Sequence, residues 1–121
     1  MHRKVRITAI VGLVAALAVL AFAGSFYNEG AVSPTSGRAN MTIFTYTVQY
    51  ALSPGQDPPD VYADITKGGV PYGSYMMAIV HIGSIIVDYS YQTTLPAGTD
   101  WGFQFRTEDD TTLAHLGPSV E

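Results

Sequence analysis

Apolar residues recur at every second position through most of the chain. From Thr42 to Tyr50, Phe44, Tyr46, Val48 and Tyr50 fall on one side, and Thr45, Thr47 and Gln49 on the other. Val61, Ala63 and Ile65 alternate in the same way with Tyr62, Asp64 and Thr66. Val87, Tyr89, Tyr91, Thr93 and Leu95 share a face, as do Trp101, Phe103 and Phe105. A period of two marks strands that bury one side. The pattern predicts strands over 42–50, 60–67, 85–95 and 99–107, with shorter ones over 31–33, 75–81 and 111–116. β-branched and aromatic residues dominate these runs, as a pleated, half-buried surface prefers. Nothing after Gly24 repeats at the three-and-four spacing of a helix.

Turn chemistry separates the runs. Ser53-Pro54-Gly55-Gln56-Asp57-Pro58-Pro59 cannot continue a strand, because proline lacks the N–H that a ladder needs. Gly68-Gly69 is a candidate two-residue hairpin. Leu95-Pro96-Ala97-Gly98 suits a type I turn. About seven short strands at regular spacing predict an all-β fold, an antiparallel β-sandwich. Its expected core is Tyr46, Val48, Val61, Ile65, Tyr89, Tyr91, Trp101, Phe103 and Phe105, with Met76-Met77 also inside.

The N-terminus follows a different pattern. Arg3, Lys4 and Arg6 precede Ile7–Ala23, a run without charge that ends in Ala21-Phe22-Ala23. A basic start, an apolar middle and small residues at the end describe a secretory signal, with cleavage expected after Ala23. The alternative is a retained N-terminal membrane anchor, a hydrophobic helix held by its basic flank. Both readings divide the chain into a signal or anchor over 1–23, a linker over 24–29 and a domain over 30–121, exported to the cell surface or beyond. Membrane contact is then expected through residues 7–23 alone, if they are retained.

Charge and composition narrow the function. The chain has 121 residues, six basic and ten acidic. Three of the basic residues lie before residue 7, so the exported part keeps three against ten, a net charge of −7. That balance repels polyanions and excludes a general nucleic-acid binder. With no cysteine there is no disulfide, thiolate metal site or cysteine nucleophile.

The order of the segments resembles a known group. Gly30-Ala31-Val32-Ser33-Pro34-Thr35-Ser36-Gly37 is followed by Phe44-Thr45-Tyr46-Thr47-Val48-Gln49-Tyr50, then Pro58-Pro59-Asp60-Val61-Tyr62 and Gly69-Val70-Pro71-Tyr72. Tyr75-Met76-Met77, Asp88-Tyr89-Ser90-Tyr91 through Gly98, and Trp101-Gly102-Phe103-Gln104-Phe105 complete the series. The series resembles the immunoglobulin-like, PKD-like β-sandwich repeat modules of secreted and surface proteins of bacteria and archaea. The resemblance implies an immunoglobulin-like fold and an architectural role, spacing or displaying other domains. The chain departs from that group in the loop Leu52–Asp57, at Ile65-Thr66-Lys67-Gly68-Gly69, and at Asp100, where the group carries His. Acids that hold a cation in such modules are thus partly missing.

Candidate chemistry is sparse. Oxygen-rich loops are the usual calcium ligands, which makes Asp57 and Asp60, and Asp109 and Asp110 beside Glu108, the candidate calcium residues. Each set also reads as an ordinary acidic turn. Tyr62, Tyr72 and Tyr75 are candidate ligand-binding residues, since exposed rings stack on sugars or anchor a partner. His2, His81 and His115 are too few and too scattered to specify zinc. Asp64 and Asp88 have no partner in the sequence that would make a hydrolytic carboxylate pair. Asn40-Met41-Thr42 is a glycosylation sequon. No catalytic motif is present, and no enzyme activity is expected. The sequence therefore predicts an exported, noncatalytic module for structural display, adhesion or protein interaction. Its expected partners are other extracellular proteins or surface glycans. The alternatives are a carbohydrate-binding module, or a filament subunit donating its Phe26–Ser36 segment to a neighbour.

Overall fold

The computed structural model describes residues 23–121. The predicted signal or anchor lies outside the described residues, apart from Ala23. Those residues form an all-β structure of eleven strands without a helix. In chain order they are β1 (Ser25–Phe26), β2 (Ala31–Ser33), β3 (Ser36–Gly37), β4 (Phe44–Ala51), β5 (Tyr62–Lys67) and β6 (Val70–Met76). There follow β7 (Ala78–Ile82), β8 (Ile86–Thr93), β9 (Trp101–Arg106), β10 (His115–Leu116) and β11 (Ser119–Val120). One antiparallel sheet runs β1-β4-β8-β7, with β2 also paired to β4. The second runs β10-β9-β5-β6, and β3 pairs with β11 in parallel as a small third unit.

The four long predicted strands are present as β4, β5, β8 and β9; β4 begins two residues later and ends one residue later than expected, and the others are shorter by two or three residues. Residues 24–29, expected as a linker, contain β1 in register with Ala51 and Tyr50 of β4. The single strand expected over 75–81 is two strands. β6 ends at Met76 in one sheet and β7 begins at Ala78 in the other. Met77 turns inward between them, donating its N–H to Val61 O at 2.8 Å. Met77 is therefore core as expected, whereas Met76 is exposed. Over 111–116 only His115 and Leu116 form a strand; Thr111 makes an isolated bridge to Arg106.

The hairpin at Gly68-Gly69 forms as read. Both glycines have positive φ, 62° and 78°, and Lys67 pairs with Val70 across them. That backbone matches the twist of two antiparallel strands.

Both main sheets contribute to one buried cluster. Phe44, Tyr46, Val48, Val87 and Tyr89 come from the first; Ala63, Ile65, Trp101, Phe103 and Phe105 come from the second. The Tyr46 and Phe103 rings meet edge to face across the cluster, 5.4 Å apart. Tyr91 is only half-buried and covers the margin of the cluster, stacked on Tyr75 of β6 at 4.9 Å and 8°. Burying each such side chain contributes roughly 1.5–3 kcal/mol, which a domain without disulfides needs to offset chain entropy.

Two buried tyrosines differ in one respect. The Tyr89 hydroxyl donates to Pro59 O at 2.6 Å. The Tyr46 hydroxyl has no partner among the described residues. An unmet buried polar group costs about 1–3 kcal/mol. Tyr46→Phe is therefore expected to raise stability by about 1 kcal/mol. Tyr89→Phe orphans the Pro59 carbonyl and is expected to lower it by a similar amount. Urea midpoints of the two variants check this; equal shifts of the same sign would refute it.

Candidate functional site

Two places stand out, and the candidate tyrosines are divided among separate contacts. The first is the end of the molecule where the 53–60 loop meets the turn after β9. A cavity of about 450 Å³ there is lined by Tyr50, Gln56, Asp60, Tyr62, Arg106 and Asp109, among others. The fold thus brings Asp60, Asp109 and Tyr62 together from separate segments. Asp57 and Asp110 do not line it. Both Asp110 carboxylate oxygens are engaged: Oδ2 accepts from Phe26 N at 3.0 Å and Oδ1 from Thr111 N at 3.0 Å. Thr107 Oγ1 accepts from the N–H groups of Asp109 and Asp110, at 3.2 and 2.9 Å. The Glu108–Asp110 stretch is thereby a hydroxyl-braced turn whose last acid ties down β1. No group of three or more His, Asp or Glu side chains is placed to hold a metal ion among the described residues.

The three candidate tyrosines each lie against a different neighbour. Tyr62 faces the Arg106 guanidinium at 4.8 Å. Asp64 holds that guanidinium with two bonds of 2.9 and 3.2 Å and also accepts from Ser74 Oγ at 2.6 Å. The Asp64 hydrogen bond raises the pKa of Arg106 above its ordinary value. Tyr72 sits at a bulge in β6, where Thr66 pairs with Pro71 and Ile65 with Gly73. A bulge re-aims the side chain it carries, and the Tyr72 ring meets Trp101 edge-on at 4.7 Å. Lys67 lies over the same indole at 5.6 Å and pairs with Asp100; its hydrogen bond lowers the Asp100 pKa. Tyr75 lies over Gly73, where a Cβ would collide with its ring, and stacks on Tyr91.

The second place is β7, which the sequence reading did not single out. All five of its residues are exposed, Val80 at 63% and Ile82 at 60%. It borders β8 on one side and no other strand among the described residues on the other. A bulge between Ile79 and His81 leaves Val80 out of the ladder. Met76, Ile79 and Ile85 are exposed nearby in sequence. A row of polar side chains crosses the sheet to its edge. Asn28 donates to Gln49, Gln49 donates to Asp88 Oδ1 at 2.7 Å, and His81 Nδ1 lies 3.5 Å from Asp88 Oδ2. The remaining described histidine, His115, is on β10 against Phe103, with its Nε2 buried and without a partner among the described residues. The two histidines thus belong to different sheets. Asp64 and Asp88 are each held by neighbours, Arg106 and Gln49, on different strands.

No protein-family model matches the chain, and no curated protein is similar to it at a significant level.

Proposed function

We propose that the chain is an exported, noncatalytic immunoglobulin-like module that works by protein contact at the cell surface. The strand order supports the sandwich. β2-β4-β8-β7 has the A-B-E-D order of an immunoglobulin domain, and β10-β9-β5 has its G-F-C order, with β6 in the added C′ position. Antibody domains join strands B and F by a disulfide. This chain has no cysteine, and the Tyr46–Phe103 contact spans the equivalent strands, β4 and β9. The basic, apolar and small-residue succession over 1–23 supports export.

The single observation that carries the contact role is the exposed apolar edge at β7. Monomeric soluble proteins rarely expose large apolar patches, and Ile79, Val80 and Ile82 are all exposed along this one strand. Two other readings draw less support. Strand donation needs a first segment free to leave, yet β1 and β2 pair with their own β4. Sugar stacking needs open ring faces, yet Tyr62, Tyr72 and Tyr75 lie against Arg106, Trp101 and Tyr91. The test is retention at the surface of the exporting cell. The double variant Val80→Lys/Ile82→Lys is expected to fold, as judged by Trp101 fluorescence, and to be shed into the medium. Unchanged retention of chains cleaved after Ala23 would overturn the contact role.

A further inference from the structure

Resting on the export part of that reading, we propose that Asn40 is a modification site. Its side-chain amide carries an N-linked saccharide, added as the chain is exported, which covers the exposed Met41 and Ile43. Asn40-Met41-Thr42 has the acceptor spacing, an asparagine with a hydroxyl residue two places on and no proline between.

The fold presents this asparagine to solvent. Asn40 and Met41 are exposed in the segment between β3 and β4. Arg38 O accepts from the N–H groups of Met41 and Thr42, at 3.2 and 3.1 Å, and Thr42 Oγ1 accepts from Arg38 N at 2.8 Å. Asn40 lies inside this turn with a φ of 57°, and its own N–H donates to Leu95 O at 2.9 Å. The backbone is thus tied down while the side chain is not. The Asn40 carboxamide makes no hydrogen bond among the described residues.

Asn28 is the contrast. Its Nδ2 donates to Gln49 Oε1 at 3.1 Å, and its Oδ1 accepts from the N–H groups of Gly30 and Gln49 at 3.2 and 3.0 Å. The fold uses both ends of that amide, and Asn28 is followed by Glu29-Gly30, which is no acceptor sequence. At Asn40 the left-handed backbone is served as well by Gly or Asp, so the turn by itself does not call for an amide. The flank supplies a use for one. Met41 and Ile43 are 69% and 58% exposed beside it. A bulky, soluble group on Asn40 takes that apolar surface out of water without a protein partner.

The donor is a saccharide carried on a lipid phosphate in the export membrane, and a membrane transferase performs the step. Asn40 Nδ2 attacks the anomeric carbon. The C1–Nδ2 bond forms as the bond from C1 to the phosphate oxygen breaks. The lipid phosphate leaves with the electron pair, and one amide proton passes to a base of the transferase. Nothing is oxidised or reduced, and this chain is substrate only.

Intact-mass measurement of the chain recovered from the cells that export it tests this. The exported chain is expected to exceed its polypeptide mass by that of a saccharide, with the increment on the peptide that contains Asn40. Asn40→Asp, which tolerates the same φ, is expected to be exported, to fold by Trp101 fluorescence and to lose the whole increment. Thr42→Ser, which keeps the hydroxyl, is expected to retain it. Peroxide is expected to oxidise Met41 at least about twofold more slowly in the modified chain than in Asn40→Asp, with the exposed Met76 as reference. An exported chain of bare polypeptide mass, or an increment that survives in Asn40→Asp, would overturn the modification and leave the contact role untouched. Equal oxidation of Met41 in the two chains would overturn the covering of the apolar flank. A chain that stays inside the cell at its bare mass would overturn the export reading and this inference together.

Discussion

Replacing Phe105 with alanine is expected to lower stability by about 3–5 kcal/mol, the range for emptying a fully buried aromatic site. Single domains hold only about 5–15 kcal/mol in reserve, so this one change removes a large share. Phe105 has no exposed surface, and its ring lies edge to face with Phe103 at 5.7 Å. Gly30, whose φ is +80°, lies beside the same ring. A Cβ at Gly30 would run into the Phe105 ring and lie 2.7 Å from Thr47 O. Gly30→Ala is therefore destabilising twice over, through a left-handed backbone and through overpacking, each costing on the order of 1–3 kcal/mol. The two changes share one space, so the double variant is expected to be less impaired than the two single losses combined. Urea unfolding of the three variants decides this. Strict additivity would mean that Gly30 is required for its φ alone, and a Phe105→Ala loss below about 1 kcal/mol would remove Phe105 from the core.

Much of this core could be read from spacing alone. The long strands were legible because each buries one side and wets the other, so the alternation survives in the sequence. Phe44, Tyr46, Val48 and Tyr50 are all buried, while Thr45 and Gln49 are only partly covered and Thr47 is exposed. β6 and β7 were not legible for the same physical reason. They are edge strands, and burial imposes little pattern on them: β7 is exposed at every position, and β6 includes Pro71, Gly73 and a bulge. Ile79 and Val80 therefore read as one strand with Tyr75 when they belong to the open margin of the other sheet. The two-residue strands β1, β3, β10 and β11 are too short to show any period. Among the candidate site residues, the grouping of Asp60 with Asp109 and Tyr62 was hidden, because it depends on two loops from separate parts of the chain meeting. The commitment of Asp110 to Phe26 N was hidden likewise, since the two residues are 84 positions apart. The one hint of the β7 edge in the sequence was an apolar run, 76–80, that fails to alternate.

Raising the pH from about 10 to about 12 is expected to unfold the domain, with the buried tyrosines as the cause. Burial first, then the neighbouring Tyr50 and Asp60, push the Tyr89 hydroxyl from 10.0 up to about 12. Tyr46 is pushed higher still, by burial and then by Tyr91 and Tyr75. Tyr75 is raised in the same direction, again chiefly by desolvation. In the unfolded chain all of these ionise near their ordinary value of about 10. As pH rises past that point the unfolded state gives up protons that the folded state retains, so linkage lowers stability with each further step in pH. The contribution of these groups is intact below about pH 10 and is lost as pH passes the folded values. Tyrosinate absorbance should accordingly show a late second step, from Tyr46 and Tyr89, appearing together with loss of the strand circular-dichroism signal. Tyr46→Phe removes one of the protons at stake and should move that second step to higher pH. If all eight tyrosines ionised in a single gradual step with the strand signal intact, Tyr46 and Tyr89 would have to be open to water, and the interior formed by β4, β8 and β9 would be wrongly assigned.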